Sequence, residues 1–182
     1  SSFEQLKSYY EKEQDWLFGF LSYDLKNHVE NLESNNPDRV GMPLMHFFSP
    51  DILVRVQGDE VIIESSHFTP EKVWQSIWNT KKDEASFSAE NWEMKSRETA
   101  AEYKATVAKI REHIIEGDIY EMNYCTEFYI ESCNISPAAL YSQLNHIANA
   151  PFSSFYKCDD RYLICGSPER FIKKEGNKIT SQ

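Results

Sequence analysis

The residues best placed to do chemistry lie in Ser167-Pro168-Glu169-Arg170-Phe171, a few positions before the last residue, Gln182. A glutamate directly after a proline and before an arginine has its backbone approach fixed by the proline ring and a cation beside it. That arrangement can hold and tune a carboxylate as a general acid or base. Taken alone, an isolated Glu-Arg pair is more often a surface ion pair. A second segment, Glu116-Gly117-Asp118-Ile119-Tyr120-Glu121-Met122-Asn123, ends in an amide that can either face a substrate or satisfy a buried backbone group. Tyr120 and Tyr124 read as packing residues, and Glu121 reads as a solvated position.

Other chemistries find less support. No GxGxxG run or P-loop is present, so a glycine-rich phosphate cradle is not expected. Cys125, Cys133, Cys158 and Cys165 form no CxxC pair; they sit in apolar or strand-like segments and read as buried free thiols. The five histidines are scattered, and each is assigned a structural or surface role. No metal site is expected within the chain.

The elements that must position these residues follow from hydrophobic spacing. Phe3, Leu6, Tyr9 and Tyr10 recur at helical intervals. Trp16 to Tyr23 reads as an aromatic strand in which Gly19 admits a neighbouring backbone, and Ser34 to Gly41 as a surface loop. Leu44 to Phe48, Ile52 to Val56 and Val61 to Glu64 predict a meander with a turn at Gln57-Gly58-Asp59. Thr69-Pro70 starts a helix that turns Val73, Trp74, Ile77 and Trp78 inward, followed by a polar connector from Lys81 to Ser88. Thr99 and Glu102 have capping-box spacing ahead of a stripe of Tyr103, Val107, Ile110 and Ile114, which Gly117 ends. Ile119 to Ser132 favours a long strand, Ser136-Pro137 caps another helix, and two strands pair around Asp159-Asp160. This mixture of hairpins and helices predicts an α+β fold with antiparallel or mixed sheets and helices packed outside.

The 182 residues suit one medium domain, and 41% hydrophobic content supplies a core. A formal charge of −10, with 29 acidic against 19 basic residues, argues against nucleic acid as a partner. No apolar run approaches a bilayer span and no signal peptide opens the chain, which predicts a cytoplasmic protein. Ser1 and Gln182 both read as cut ends.

Together, Gly117-Asp118-Ile119-Tyr120-Glu121-Met122-Asn123 and Ser167-Pro168-Glu169-Arg170-Phe171 resemble the paired motifs of the chorismate-utilising enzymes. Gly19 to Leu25 and Pro151-Phe152 match at supporting positions, and Glu121 departs from the family's usual glutamine. The resemblance covers most of the chain but only the N-terminal and middle part of a family member. It implies one partial domain, with residues up to about 95 as an N-terminal region and the rest as the start of a chorismate-binding core.

Asn123 is typical of the aminodeoxychorismate synthase component I branch, which serves para-aminobenzoate and folate synthesis. That branch aminates chorismate with ammonia from a glutamine amidotransferase partner. The resemblance implies that Glu169 is the general acid, that Asn123 binds substrate, and that Mg2+ is held by glutamates beyond Gln182. A nucleophilic lysine is also implied beyond Gln182, so the chain alone should be inactive; Arg170 should point away from Glu169 so as not to lower its pKa. The alternatives are anthranilate synthase component I and a non-catalytic binding module on the same scaffold.

Overall fold

The computed structural model describes residues 1–81 and 92–181. Most of the connector expected between Lys81 and Ser88 therefore lies outside the described residues. The chain divides into two compact units, Ser1–Asp83 with Tyr156–Leu163 and Glu84–Phe155 with Ile164–Gln182.

In the first unit, α1 (Ser2–Glu13) begins at a complete capping box between Ser1 and Glu4 and ends at Gln14 in the left-handed region, φ 52°. β1 (Phe18–Leu21) pairs antiparallel with β2 (Met45–Phe48), which sets Gly19 opposite Phe47. A 3-10 helix over Tyr23–His28 follows β1 and buries Leu25. β3 (Ile52–Gln57) and β4 (Glu60–Ser65) form an antiparallel hairpin closed at Gly58, φ +60°.

The meander expected from Leu44 to Glu64 is therefore not formed: β2 joins β1, not β3. Its connection to β3 cannot extend a ladder, because Ser49 N–H donates to the Tyr9 hydroxyl at 3.1 Å and Pro50 has no N–H to give. α2 (Pro70–Asn79) starts at Thr69, whose side chain accepts from Lys72 N–H. Of the four residues expected to turn inward, Val73 is buried, whereas Trp74, Ile77 and Trp78 stay exposed. A two-stranded sheet is too narrow to cover a full helical stripe.

The second unit is built around α3 (Ala100–Glu116). Its capping box joins Thr99 and Glu102, and Gly117 ends it at φ +85°. Gly117 N–H donates to Ile114 and Asp118 N–H to the His113 carbonyl, the paired bonds of a Schellman ending. No residue of α3 is buried, although the stripe read from sequence expects it. α4 (Pro137–Ala148) is capped by Ser136, as expected.

The long strand expected over Ile119–Ser132 contracts to β6 (Phe128–Tyr129), because β5 (Lys95–Ser96) gives it only two partner residues. Aromatic and β-branched content favours a strand only where a neighbour can complete the ladder. β7 (Phe152–Cys158) and β8 (Arg161–Ser167) pair around the Asp159-Asp160 turn, with Asp159 at φ 53°. β9 (Ile172–Glu175) and β10 (Lys178–Ser181) make a last antiparallel hairpin.

The described strands thus form five two-stranded sheets interleaved with helices, an α+β arrangement of antiparallel pairs. All four cysteines are free, but Cys125 and Cys133 are exposed and the other two half-buried, so their expected burial is not met. Cys125 and Cys133 fall outside the shortened strand and lose the cover a full sheet would have provided. Among the described residues, no helix is long and apolar enough to cross a membrane.

Candidate active site

Ser167-Pro168-Glu169-Arg170 forms the turn between β8 and β9. Ser167 closes it on itself: its hydroxyl accepts from Glu169 N–H at 3.3 Å and donates to the Glu169 carbonyl at 3.0 Å. With Pro168 fixing its own φ, these bonds hold the backbone that presents the Glu169 side chain. The Arg170 guanidinium lies 5.1 Å over the Phe152 ring, a cation–π placement, and makes no ion pair with Glu169 among the described residues. Glu169 itself is exposed.

Asn123 is also exposed and lies in irregular backbone, not in the strand expected there. Tyr120 is 92% exposed, so it is not a packing residue, and Glu121 faces solvent as expected. Tyr124 does pack. Its ring sits 5.6 Å from that of Tyr103, and its hydroxyl donates to Glu98 Oε2 at 2.7 Å. That hydrogen bond to a carboxylate pushes the Tyr124 phenol above its usual pKa. Asn123 and Glu169 belong to the same unit, but no hydrogen bond joins them.

One cluster goes beyond the sites expected from the sequence. His113, Glu116 and Asp118 bring a ligand atom each to within 4.8 Å of one another. A signal for it exists, since His113 and Glu116 stand three apart on a helix and a left-handed Gly117 turns Asp118 back towards them. The 2.7 Å contact from His113 Nδ1 to Asp118 Oδ2 is accounted for by the helix ending itself. An imidazole with two carboxylates also does not match the all-oxygen shell that Mg2+ prefers, so this cluster does not fit that ion.

The chain is 25% identical to aminodeoxychorismate synthase component 1 of Bacillus subtilis, over 93% of this chain and 39% of that protein. It is 25% identical to anthranilate synthase component 1 of Cereibacter sphaeroides, over 90% of this chain and 37% of that protein. Its fold resembles the crystal structure of anthranilate synthase component I from Streptococcus pneumoniae, with TM-score 0.72 and 20% identity, covering 91% of this chain and 41% of that one. The chain therefore spans about two fifths of the length of these relatives. The family model for chorismate binding enzymes matches residues 1–182, end to end, and the chain belongs to that family.

Proposed function

We propose that this chain is part of an aminodeoxychorismate synthase component I, which converts chorismate and ammonia into 4-amino-4-deoxychorismate and water. The observation that carries the reading is the turn at Glu169: Ser167 clasps its backbone while Arg170 is drawn onto Phe152. With Arg170 drawn aside, no guanidinium stands across the Glu169 carboxyl, which is open to an incoming hydroxyl in this reading.

In the proposed reaction Glu169 protonates the C4 hydroxyl as the C–O bond breaks, and water leaves. A C–N bond forms at C4 with the ammonia nitrogen, which gives up a proton that restores the Glu169 carboxyl. Asn123 holds chorismate by hydrogen bonds from its amide. Ammonia comes from a glutamine amidotransferase partner in the cytoplasm, for the para-aminobenzoate branch of folate synthesis. The lysine that attacks the ring transiently and the ligands of the Mg2+ ion belong to parts of the protein outside this chain, and neither the Glu169 proton transfer nor the Asn123 contact runs through that ion. The isolated chain is inactive in this reading.

Anthranilate synthase component I is the second reading, favoured by the Cereibacter relative at the same identity as the Bacillus one. Product analysis separates them. Full-length protein supplied with chorismate, ammonia and magnesium should yield 4-amino-4-deoxychorismate. Fluorescent anthranilate would support the second reading, and unconsumed chorismate would point to a binding module without catalysis.

A further inference from the structure

We propose that Tyr124 and Glu98 form a brace that positions Asn123 for chorismate, an inference that rests on the substrate-binding reading of Asn123. The backbone from Ile119 to Glu127 belongs to no strand, so no ladder of hydrogen bonds holds it. Its two ends are tied instead. At one, Asp118 N–H donates to the His113 carbonyl at 3.0 Å and the Asp118 carboxylate meets His113 Nδ1. At the other, the Glu127 carbonyl accepts from Arg97 N–H at 3.0 Å, and its carboxylate accepts from Arg97 Nε at 3.0 Å.

Between these ties the Tyr124 side chain makes the hold described above, a hydroxyl bond to Glu98 and a ring against Tyr103. Both partners sit on rigid ground. Tyr103 lies in the first turns of α3, and Glu98 immediately precedes Thr99, whose N–H and hydroxyl both donate to Glu102 at 2.7 and 2.8 Å. A hydrogen bond to a carboxylate is about twice as strong as a neutral one. Fixing Tyr124 confines its neighbour, because consecutive Cα atoms are about 3.8 Å apart.

An exposed amide on unlaced backbone loses conformational freedom when substrate binds, and the brace reduces that loss before binding. Its removal should weaken ground state and transition state alike, which raises KM and leaves kcat unchanged. A residue that only stabilised the fold would not produce that split.

The test uses the full-length protein with chorismate as the varied substrate. Tyr124→Phe and Glu98→Ala should each raise KM about fivefold to tenfold with kcat within about twofold of wild type. Glu98→Gln should fall between wild type and Glu98→Ala, because its amide oxygen still accepts from the phenol but carries no charge. The Glu98→Ala/Tyr124→Phe pair should lose no more than Tyr124→Phe alone, since the phenol also has a side-chain hydrogen bond with Thr106 that Glu98→Ala leaves in place. A wild-type KM for Tyr124→Phe, alongside a raised KM for Asn123→Ala, overturns the brace and leaves the substrate-binding reading standing. A wild-type KM for Asn123→Ala overturns that reading and the brace with it. If Tyr124→Phe fails to fold, the alanine and glutamine variants of Glu98 decide, and equal KM values for the two overturn the proposal.

Discussion

β1 with β2, and the stretch from Gly117 to Cys125, hold their backbones by opposite means. In the first, four residues pair with four across a continuous antiparallel ladder. Aromatic rings then gather around it: Phe20 stands edge-on to Tyr156 at 5.3 Å, and His46 Nδ1 meets the Tyr156 hydroxyl at 2.5 Å. In the second, the backbone has no ladder, and a few side chains fix it at intervals. Ladder-held backbone is costly to disturb at one small residue, while braced backbone should lose its geometry piecemeal and keep its fold. In the proposed reading, that divides a rigid scaffold from backbone left exposed for substrate.

The largest expected effect is at Gly19. A Cβ there would overlap the His46 carbonyl oxygen and lie 2.5 Å from Phe47 Cγ. Backbone oxygen cannot turn aside as a side chain can, so Gly19→Ala should cost about 3 kcal/mol or more in denaturant unfolding. A loss under about 1 kcal/mol would mean that the ladder is looser than its register implies. Gly117→Ala tests the other region. At φ +85° an L side chain is strained, yet nothing lies within 4 Å of the added carbon, which leaves about 1–2 kcal/mol from the backbone alone.

Tyr156→Phe removes the hydroxyl from the part-buried contact with His46 and should cost about 1 kcal/mol, measured in the same way. The smallest change concerns Glu102. Hydrogen bonds from Thr99, first from its N–H and then from its hydroxyl, hold the Glu102 carboxyl below the usual glutamate range. A depressed folded-state pKa gives stability that is present above the unfolded-state value and is lost as pH falls through the folded-state value. Thr99→Ala should lower the melting temperature slightly by loss of the cap and flatten that acid limb in a pH series of thermal unfolding.

Features governed by near neighbours are legible from the residues. Thr69 before Pro70, Thr99 with Glu102 and Ser136 before Pro137 each start a helix where their spacing indicates. Gly19 is readable as a close-approach position because an aromatic strand has few other reasons to include it. Pairing between distant segments is not readable in the same way. Leu44–Phe48 has the alternation of a meander strand, but β2 lies against β1, whose residues stand more than twenty positions earlier.

The same limit explains Ile119–Ser132, whose β-favouring side chains cannot reveal that β5 offers just Lys95 and Ser96 as partners. For the candidate site, the sequence nominates Glu169 and Asn123. The Ser167 clasp and the Tyr124–Glu98 contact depend on rotamers that no spacing discloses. His113 with Glu116 is legible in principle from helical spacing, but Asp118 joins them only through the left-handed Gly117.

The central claim is that Glu169 supplies the proton to the departing hydroxyl, and Glu169→Gln in the full-length protein tests it most directly. Glutamine keeps the shape and the backbone clasp but carries no acidic proton. With ammonia, magnesium and saturating chorismate, kcat should fall by about 100-fold or more while KM stays within about threefold. An undiminished kcat would contradict the account.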